Sequence, residues 1–565
     1  MSQFDCRKYK AADPFPVSNR QWPDQVITQA PVWCSVDLRD GNQALIEPMT
    51  VSQKEQLFRL LVKVGFKQIE VGFPAASQSD FEFVRHLIEA SLIPDDVTIQ
   101  VLTQARSALI KRTFEALSGA KKVIVHFYNS TSTVQRRDVF DLARDGITEI
   151  ATKGAELIKA MAEDCPETQW TFEYSPESFT GTENDFAVDI CNAVLDVFQP
   201  TIEQPVIINL PATVETTTPN VFADRVEWFA RHVHYRDAVI LSVHTHNDRG
   251  CAVAAAELAV MAGADRVEGT LLGNGERTGN MDTVTMAMNL YSQGIDPRLD
   301  LSNMHDIVNC VQQCTQMPIH PRHPYVGDLV YTAFSGSHQD AINKCLMKRH
   351  KDDVWDVAYL PIDPEDLGRS YQEVIRINSQ SGKGGVAYVL AQEYGLYLPR
   401  WAQIEFSGVV QCWTERHGGE ISSQQIWALF KGEYIDAVTP YQLSSYNVTH
   451  QSEDVLHVVL SAGDDMVELE GRGRGVIQAL VQSLHGYLGD ELEILSYHEH
   501  ALSVGAEAKA VTYIHVKYRG QCYCGVAISE DIVSSSINAV LSALNQAAGL
   551  TDVKGREAVT EVGIT

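Results

Sequence analysis

PVIINLPATVE, Pro205 to Glu215, and VILSVHTHND, Val239 to Asp248, decide the fold. Each is a short apolar run that ends in polar residues, and the stretch between them is long enough for a helix. Continuous apolar runs that alternate with helices describe a parallel sheet covered on both faces. Working outward from this pair, the same rhythm repeats. VWCSV from Val32, KQIEVGF from Lys67, TIQVL from Thr98, KVIVHFY from Lys122, WTFEYS from Trp170 and DRVEGTLL from Asp265 are further strands. The intervening segments carry helical spacing, as in Phe58, Leu61, Val62 and Phe66. Eight such units predict an α/β protein with a (β/α)8 barrel. A doubly wound open sheet is the alternative, but no strand ends in a dinucleotide glycine fingerprint.

With 565 residues the chain exceeds one ordinary core, and several domains are expected. The expected division is an N-terminal extension over 1–30, the barrel over 31–325, helical linker subdomains over 326–435 and an α+β domain over 436–565. The linker holds a charge-rich helical stretch from Gln339 to Lys351 and a glycine-rich loop, SGKGG, from Ser381. In the last domain Val455 to Ala462 reads as a strand, and Val476, Ile477, Leu480, Val481, Leu484 and Leu488 as a helical face. Strands near Leu492, Val511 and Tyr523 precede a second such face at Ile532, Val533, Ile537, Val540, Leu541 and Leu544. Two tandem strand-strand-helix units with internal pseudo-symmetry are predicted. A formal net charge of -28 argues against coating nucleic acid or an anionic membrane. Met1 to Lys10 holds four charged residues and reads as no secretory signal; the uncharged run Ile532 to Thr551 carries Ser, Asn and Gln and reads as an ordinary helix. Eleven scattered cysteines, with Cys310/Cys314 and Cys522/Cys524 as the close pairs, fit a reduced cytoplasm.

Barrel active sites lie at the carboxyl ends of the strands. Those ends are DLRDGNQ (Asp37 to Gln43), FEYSPES (Phe172 to Ser178), NLPATVE (Asn209 to Glu215), HTHND (His244 to Asp248) and GNGERTGN (Gly273 to Asn280). His244 and His246 are two apart on a strand, so both point to one face. Two inward imidazoles suit a divalent metal, with Asp40 as the charged ligand and Asn280 able to add a carbonyl oxygen. The plainer reading is a histidine that only hydrogen-bonds within a polar mouth. Arg39 and Arg277 offer positive charge there, or form surface ion pairs. The glycines of GNGERTGN and SGKGG fit neither a dinucleotide nor a P-loop pattern and are read as turns needing positive φ.

DLRDGNQ, HTHND and GNGERTGN resemble the acyltransferases that condense acetyl-CoA with 2-oxo acids, which include isopropylmalate, homocitrate and citramalate synthases. FEYSPES, NLPATVE, AFSGSHQDA (Ala333 to Ala341), YLPIDP (Tyr359 to Pro364) and INSQSGKGG (Ile377 to Gly385) look like the long-form isopropylmalate synthase family. The resemblance runs from about residue 31 onward. It implies a metal-dependent, cytoplasmic homodimer that joins acetyl-CoA to 3-methyl-2-oxobutanoate in leucine biosynthesis, inhibited by leucine. It implies Zn2+, Mg2+ or Mn2+ on Asp40, His244, His246 and Asn280, and activation by a monovalent cation such as K+. Arg39 would stabilise charge at the reacting carbonyl, His126 and Thr213 would hold the 2-oxo acid, and Glu177 and His338 would be the acid/base pair. Tyr359 would reach the neighbouring subunit's site. Glu173, four residues before Glu177, is a competing carboxylate, with a structural Glu on the fifth strand as its other reading. The side-chain pocket, Leu102, Tyr128, Ser175 and Pro211, holds no cation, which favours an uncharged branched substrate over the second carboxylate of a homocitrate-type reaction. In the last domain Gly473 and Gly475 would sit beside leucine with Ile477 facing its side chain. There EGRGRGV (Glu470 to Val476) has Arg474 and Val476 where the family often shows Asn and Pro. A domain used only for dimerisation is the alternative, and a metal-binding sensor with an inactive barrel is the alternative for the whole.

Overall fold

The computed structural model describes residues 5–9, 15–371, 377–378, 383–450, 452–502 and 509–551. The chain separates into two compact units, 1–330 with 364–368, and 331–363 with 369–565.

The first unit is a closed barrel of eight parallel strands in sequence order: β1 (Val32–Ser35), β2 (Gln68–Gly72), β3 (Thr98–Gln104), β4 (Lys122–Ser130), β5 (Gln169–Glu177), β6 (Val206–Ala212), β7 (Val239–Thr245) and β8 (Arg266–Gly269). Pairing of Val32 with Arg266 and of Ser35 with Gly269 closes the ring. All eight strands coincide with the apolar runs read from the sequence. The helices between them are α1 (Val51–Val64), α2 (Gln78–Glu89), α3 (Ser107–Leu117), a single turn α4 (Thr133–Gln135), α5 (Arg144–Glu163), α6 (Asn184–Phe198), α7 (Pro219–His232) and α8 (Ala252–Met261); α9 (Thr283–Tyr291) follows β8. Helix α1 shows why these segments stop and start where they do. Thr50 and Gln53 form a reciprocal capping box, and Gly65 ends the helix at φ 113°. Its apolar stripe, Leu57, Phe58, Leu61 and Val64, is buried. Helix α10 (Met304–Thr315) completes the unit and packs on α1.

In the second unit, helix α11 (Gly336–Lys348) accounts for the charge-rich helical stretch. The glycine-rich loop departs from expectation. Residues 379–382 lie outside the described residues, and Gly384 and Gly385 are in the first turn of helix α12 (Lys383–Tyr394) rather than in a positive-φ turn. Gly385 is needed for space instead, because a Cβ there would run into Gln339 and Ile377. A short antiparallel pair, β9 (Ile377–Asn378) and β10 (Glu420–Ile421), accompanies helices α13 (Arg400–His417) and α14 (Ser423–Phe430).

The last segment is a duplicated unit with three strands per repeat, where two were expected. Strands β11 (Tyr441–His450), β12 (Asp454–Ala462) and β13 (Asp465–Gly473) lead into helix α15 (Val476–Leu488). Strands β14 (Leu492–Ala501), β15 (Ala510–Tyr518) and β16 (Gln521–Ser529) lead into helix α16 (Ile532–Thr551). Each sheet is an antiparallel meander, and each first strand bulges at the same place, between Leu443 and Ser445 and between Ile494 and Ser496. A bulge repeated at one position is a designed feature rather than a defect. The two halves share one core, in which Leu456, Val458 and Leu480 meet Ile514, Val516, Ile537 and Leu541. Among the described residues no helix is long and apolar enough to cross a membrane.

Candidate active site

The carboxyl end of β1 runs into a wide helical turn, Asp37–Gly41. Asp37 is buried; it accepts the Ser35 hydroxyl at 2.8 Å and the Leu271 N–H at 3.1 Å, tying the end of β1 to the end of β8. This turn presents Arg39 and Asp40 to the barrel mouth. Strand β7 delivers His244, and His246 follows one residue past its end, beside the same carboxylate. Asp40 Oδ2 lies 3.2 Å from His244 Nε2 and 3.6 Å from His246 Nε2, and the two Nε2 atoms are 3.3 Å apart. The GNGERTGN loop brings Asn280 beside His246 through an isolated bridge. Asn280 donates its amide to the Asn274 carbonyl at 3.0 Å, which turns Oδ1 the other way. Gly273 (φ 75°) and Gly279 (φ 103°) confirm the expected turn, whereas Gly275 is required because any Cβ there would strike the Asn280 amide.

Asp40 Oδ2, His246 Nδ1 and Asn280 Oδ1 are all buried without a hydrogen-bond partner. Each such orphan costs about 1–3 kcal/mol. Asp40, His244 and His246 each offer a donor atom within 4.8 Å of the others, so the site can hold a metal ion. Burial alone would raise the Asp40 carboxyl, but Arg39 and His244 hold it well below the usual carboxylate range. Burial opposes a charge on His244, yet Asp40 and Glu268 lift it to about 9; burial and the adjacent His244 lower His246 to about 4. His246 thus stays neutral, with a lone pair to offer a cation.

A cavity of about 750 Å3 opens over this cluster. Arg39, Asp40, His126, Leu102, Tyr128, Ser175, Glu177, Pro211, Thr213, His244 and His246 all line it, so the structure assembles most of the expected site in one place. Arg39 is gripped by Glu70 and lies 3.3 Å from Asp40. His126 is held between Glu70, 2.9 Å from Nδ1, and Ser175, 2.7 Å from Nε2. Thr213 accepts the Ser178 N–H at 2.9 Å. Glu177 accepts the Ser130 hydroxyl, and burial raises its carboxyl despite that bond. Arg277 is paired with Asp248 at 2.7 Å and donates to the Thr213 carbonyl. Glu173 is fully buried against Arg266 at 3.3 Å.

His338, on α11, and Tyr359, at φ 65°, belong to the second unit, where their rings stack at 4.0 Å. In the duplicated domain Gly473 ends β13 and Gly475 caps α15. Around them the N–H groups of Arg472 and Arg474 are taken by Gln482 and Gln478. Ile477 packs partly buried against the domain's core.

Five residues of the site escaped the sequence reading: Glu70, Gln100, Asn209, Arg266 and Glu268. They form a fully or almost fully buried polar belt beneath the metal-capable cluster. Arg266 binds Gln68 at 2.6 Å, Gln100 at 2.6 Å, Ser242 at 2.8 Å and Glu268 at 2.9 Å. The available signal was polar residues two apart inside short strands, Gln68 and Glu70 in QIEVG and Arg266 and Glu268 in RVEG.

An eight-stranded barrel with an Asp-His-His cluster at its carboxyl end that could hold a metal defines a class, and the HMGL-like family model matches residues 30–311. The model of the alpha-isopropylmalate synthase post-catalytic domain matches residues 328–391, and that of the LeuA allosteric (dimerisation) domain matches residues 420–548. A 2-isopropylmalate synthase of Azotobacter vinelandii is 56% identical over 96% of this chain and 97% of its own length. One from Rhodospirillum rubrum is 54% identical over 95% of this chain and 98% of its own. The chain belongs to the 2-isopropylmalate synthase family.

Proposed function

We propose that this cavity carries out the condensation of acetyl-CoA with 3-methyl-2-oxobutanoate and water to give 2-isopropylmalate and CoA. The observation that carries the reading is the approach of Asp40 Oδ2, His244 Nε2 and His246 Nε2 to within 3.2–3.6 Å of one another beneath the cavity. A divalent cation held by Asp40, His244, His246 and Asn280, whether Zn2+, Mg2+ or Mn2+, supplies Lewis-acid polarisation of the keto group when bound. Arg39, fixed by Glu70, places its guanidinium beside the same position and stabilises the negative charge that develops on the keto oxygen. His126 and Thr213 hold the 2-oxo acid, while Leu102, Tyr128, Ser175 and Pro211 receive its branched side chain. Glu177 and His338 carry the proton transfers: one proton leaves the acetyl methyl, and the new C–C bond forms at the keto carbon. Water then cleaves the thioester and CoA leaves. Tyr359 acts in the site of the neighbouring subunit.

Thiol release from acetyl-CoA with a panel of 2-oxo acids tests this. 3-Methyl-2-oxobutanoate gives the highest kcat/KM, with pyruvate lower by about 10–200-fold per lost apolar contact. Chelation abolishes turnover and divalent ions restore it. Preference for pyruvate or 2-oxoglutarate would replace the reading with a citramalate or homocitrate activity.

The duplicated domain is proposed to bind leucine and inhibit the enzyme. Gly475 lies at the start of α15 with open space around it, since a Cβ there meets nothing within 4 Å, and its φ of 178° suits any residue. Gly475→Trp therefore fills the region without straining the backbone. Calorimetry with leucine on the full chain and activity against leucine concentration both lose their response in this variant. Failure of the unsubstituted chain to bind leucine leaves the domain a dimerisation device.

A further inference from the structure

Glu268, on β8, has no role in the chemistry described so far, yet it is fully buried directly behind His244. Its two oxygens meet three donors and the Nδ1 of His244. Oε1 accepts Gln100 Nε2 and Arg266 Nη1, each at 2.9 Å; Oε2 lies 2.9 Å from His244 Nδ1 and accepts Asn209 Nδ2 at 3.3 Å. The donors around it are fixed from their far sides. Gln100 cannot flip its amide, because Oε1 accepts Arg266 Nη2 at 2.6 Å while Nε2 also donates to Glu70. Arg266 has donors only. The permanent positive charge of Arg266 at 2.9 Å, with the Gln100 amide beside it, holds the group as an ionised carboxylate, which accepts and never donates. His244 must then keep a proton on Nδ1, pointing at Glu268, and Nε2, on the side of Asp40 and His246, is the nitrogen left to give its lone pair to a cation.

We propose that Glu268 is a positioning residue: it fixes the tautomer and ring orientation of His244 so that Nε2 is presented as a ligand to the divalent cation. The inference rests on the metal reading of the Asp40–His244–His246 cluster. A carboxylate behind a ligating imidazole typically changes metal affinity or activity by about 10–100-fold. Arg266 and Gln100 extend the device into the barrel wall, so the ligand's aim is set by strands on opposite sides of the ring.

The test uses the full-length chain stripped of metal and titrated with Co2+ by calorimetry, with the visible absorption of the bound Co2+ recorded. Glu268→Gln places an N–H against one of these partners; Co2+ affinity falls about 10–100-fold and the absorption bands shift. Glu173→Gln is the control: it is equally buried and also pairs with Arg266 but does not touch His244, and it leaves both readouts unchanged. Wild-type-like binding by Glu268→Gln, or an equal loss in Glu173→Gln, overturns the proposal. Absence of Co2+ binding by the unsubstituted chain overturns the metal reading and this one with it. Should Glu268→Gln not fold, 15N-histidine spectra of the Zn2+-loaded wild type decide, with His244 assigned by its loss in His244→Ala. A proton on Nδ1 supports the proposal, and a proton on Nε2 overturns it.

Discussion

His246 shows what a single residue of this site does for folding and for binding. Its Nδ1 is buried with no partner, and its Nε2 faces another imidazole, so the side chain gives the metal-free protein little. His246→Ala is therefore expected to leave the melting temperature of the metal-free chain almost unchanged. The rise in stability on adding a divalent ion, which follows RT ln(1 + [L]/Kd), disappears; calorimetric melting with and without Mn2+ measures both. In the proposed mechanism Glu177 sets the pH response. Burial raises its carboxyl, and the Ser130 hydroxyl opposes that by stabilising the ionised form. If the ionised form is the active one, kcat/KM falls as pH drops through this raised value. Ser130→Ala removes the stabilising bond, so the acidic limb of the kcat/KM profile moves to higher pH; a shift to lower pH would exclude Glu177 as the group titrating. The legibility of the site follows the same physics. His244 and His246 were readable because two donors at a spacing of two must share a face. Glu70, Gln100 and Glu268 were not, because each is a polar residue inside a short strand. Only closure of the ring gives it partners.

At the scale of elements, strong periodicity was readable and weak periodicity was not. All eight barrel strands and both helices of the duplicated domain are long apolar runs or clean amphipathic stripes. Strand β11, YQLSSYNVTH, alternates between half-buried and exposed residues with no fully buried one, and β13 turns only Val467 and Leu469 partly inward over most of its length. Half-exposed strands of this kind lack the apolar density that marks the others, so two strands in the first repeat went unread. Packing of helix on sheet in this domain depends on glycine. A Cβ at Gly525 of β16 would overlap the Ala539 carbonyl of α16 and come within 2.9 Å of Ala543. Gly525→Ala is expected to cost about 1–3 kcal/mol through overpacking, and Gly475→Ala much less. Urea unfolding of the two variants checks the ranking, and equal costs would contradict the packing.

For the whole molecule, the proposed role of Tyr359 makes a subunit-exchange experiment decisive. Tyr359→Ala and His246→Ala are each expected to be inactive alone. Mixed under exchange, they regain partial activity if Tyr359 serves the partner's site; proven heterodimers without activity place its role within its own subunit. The polar belt also dictates how the barrel can be made. Arg266 stands 198 positions after Gln68 and 93 after Glu173. At about 5–20 residues per second, a ribosome takes roughly 10–40 s to travel from the second strand to the eighth. For the last 93 positions of that stretch Glu173 has been made but the Arg266 guanidinium that pairs with it has not. Sealing it, ionised, inside a partial barrel would cost several kcal/mol. The nascent chain is thereby kept open until translation reaches Arg266, and its hydrophobic strands stay within reach of chaperones and proteases for the same time.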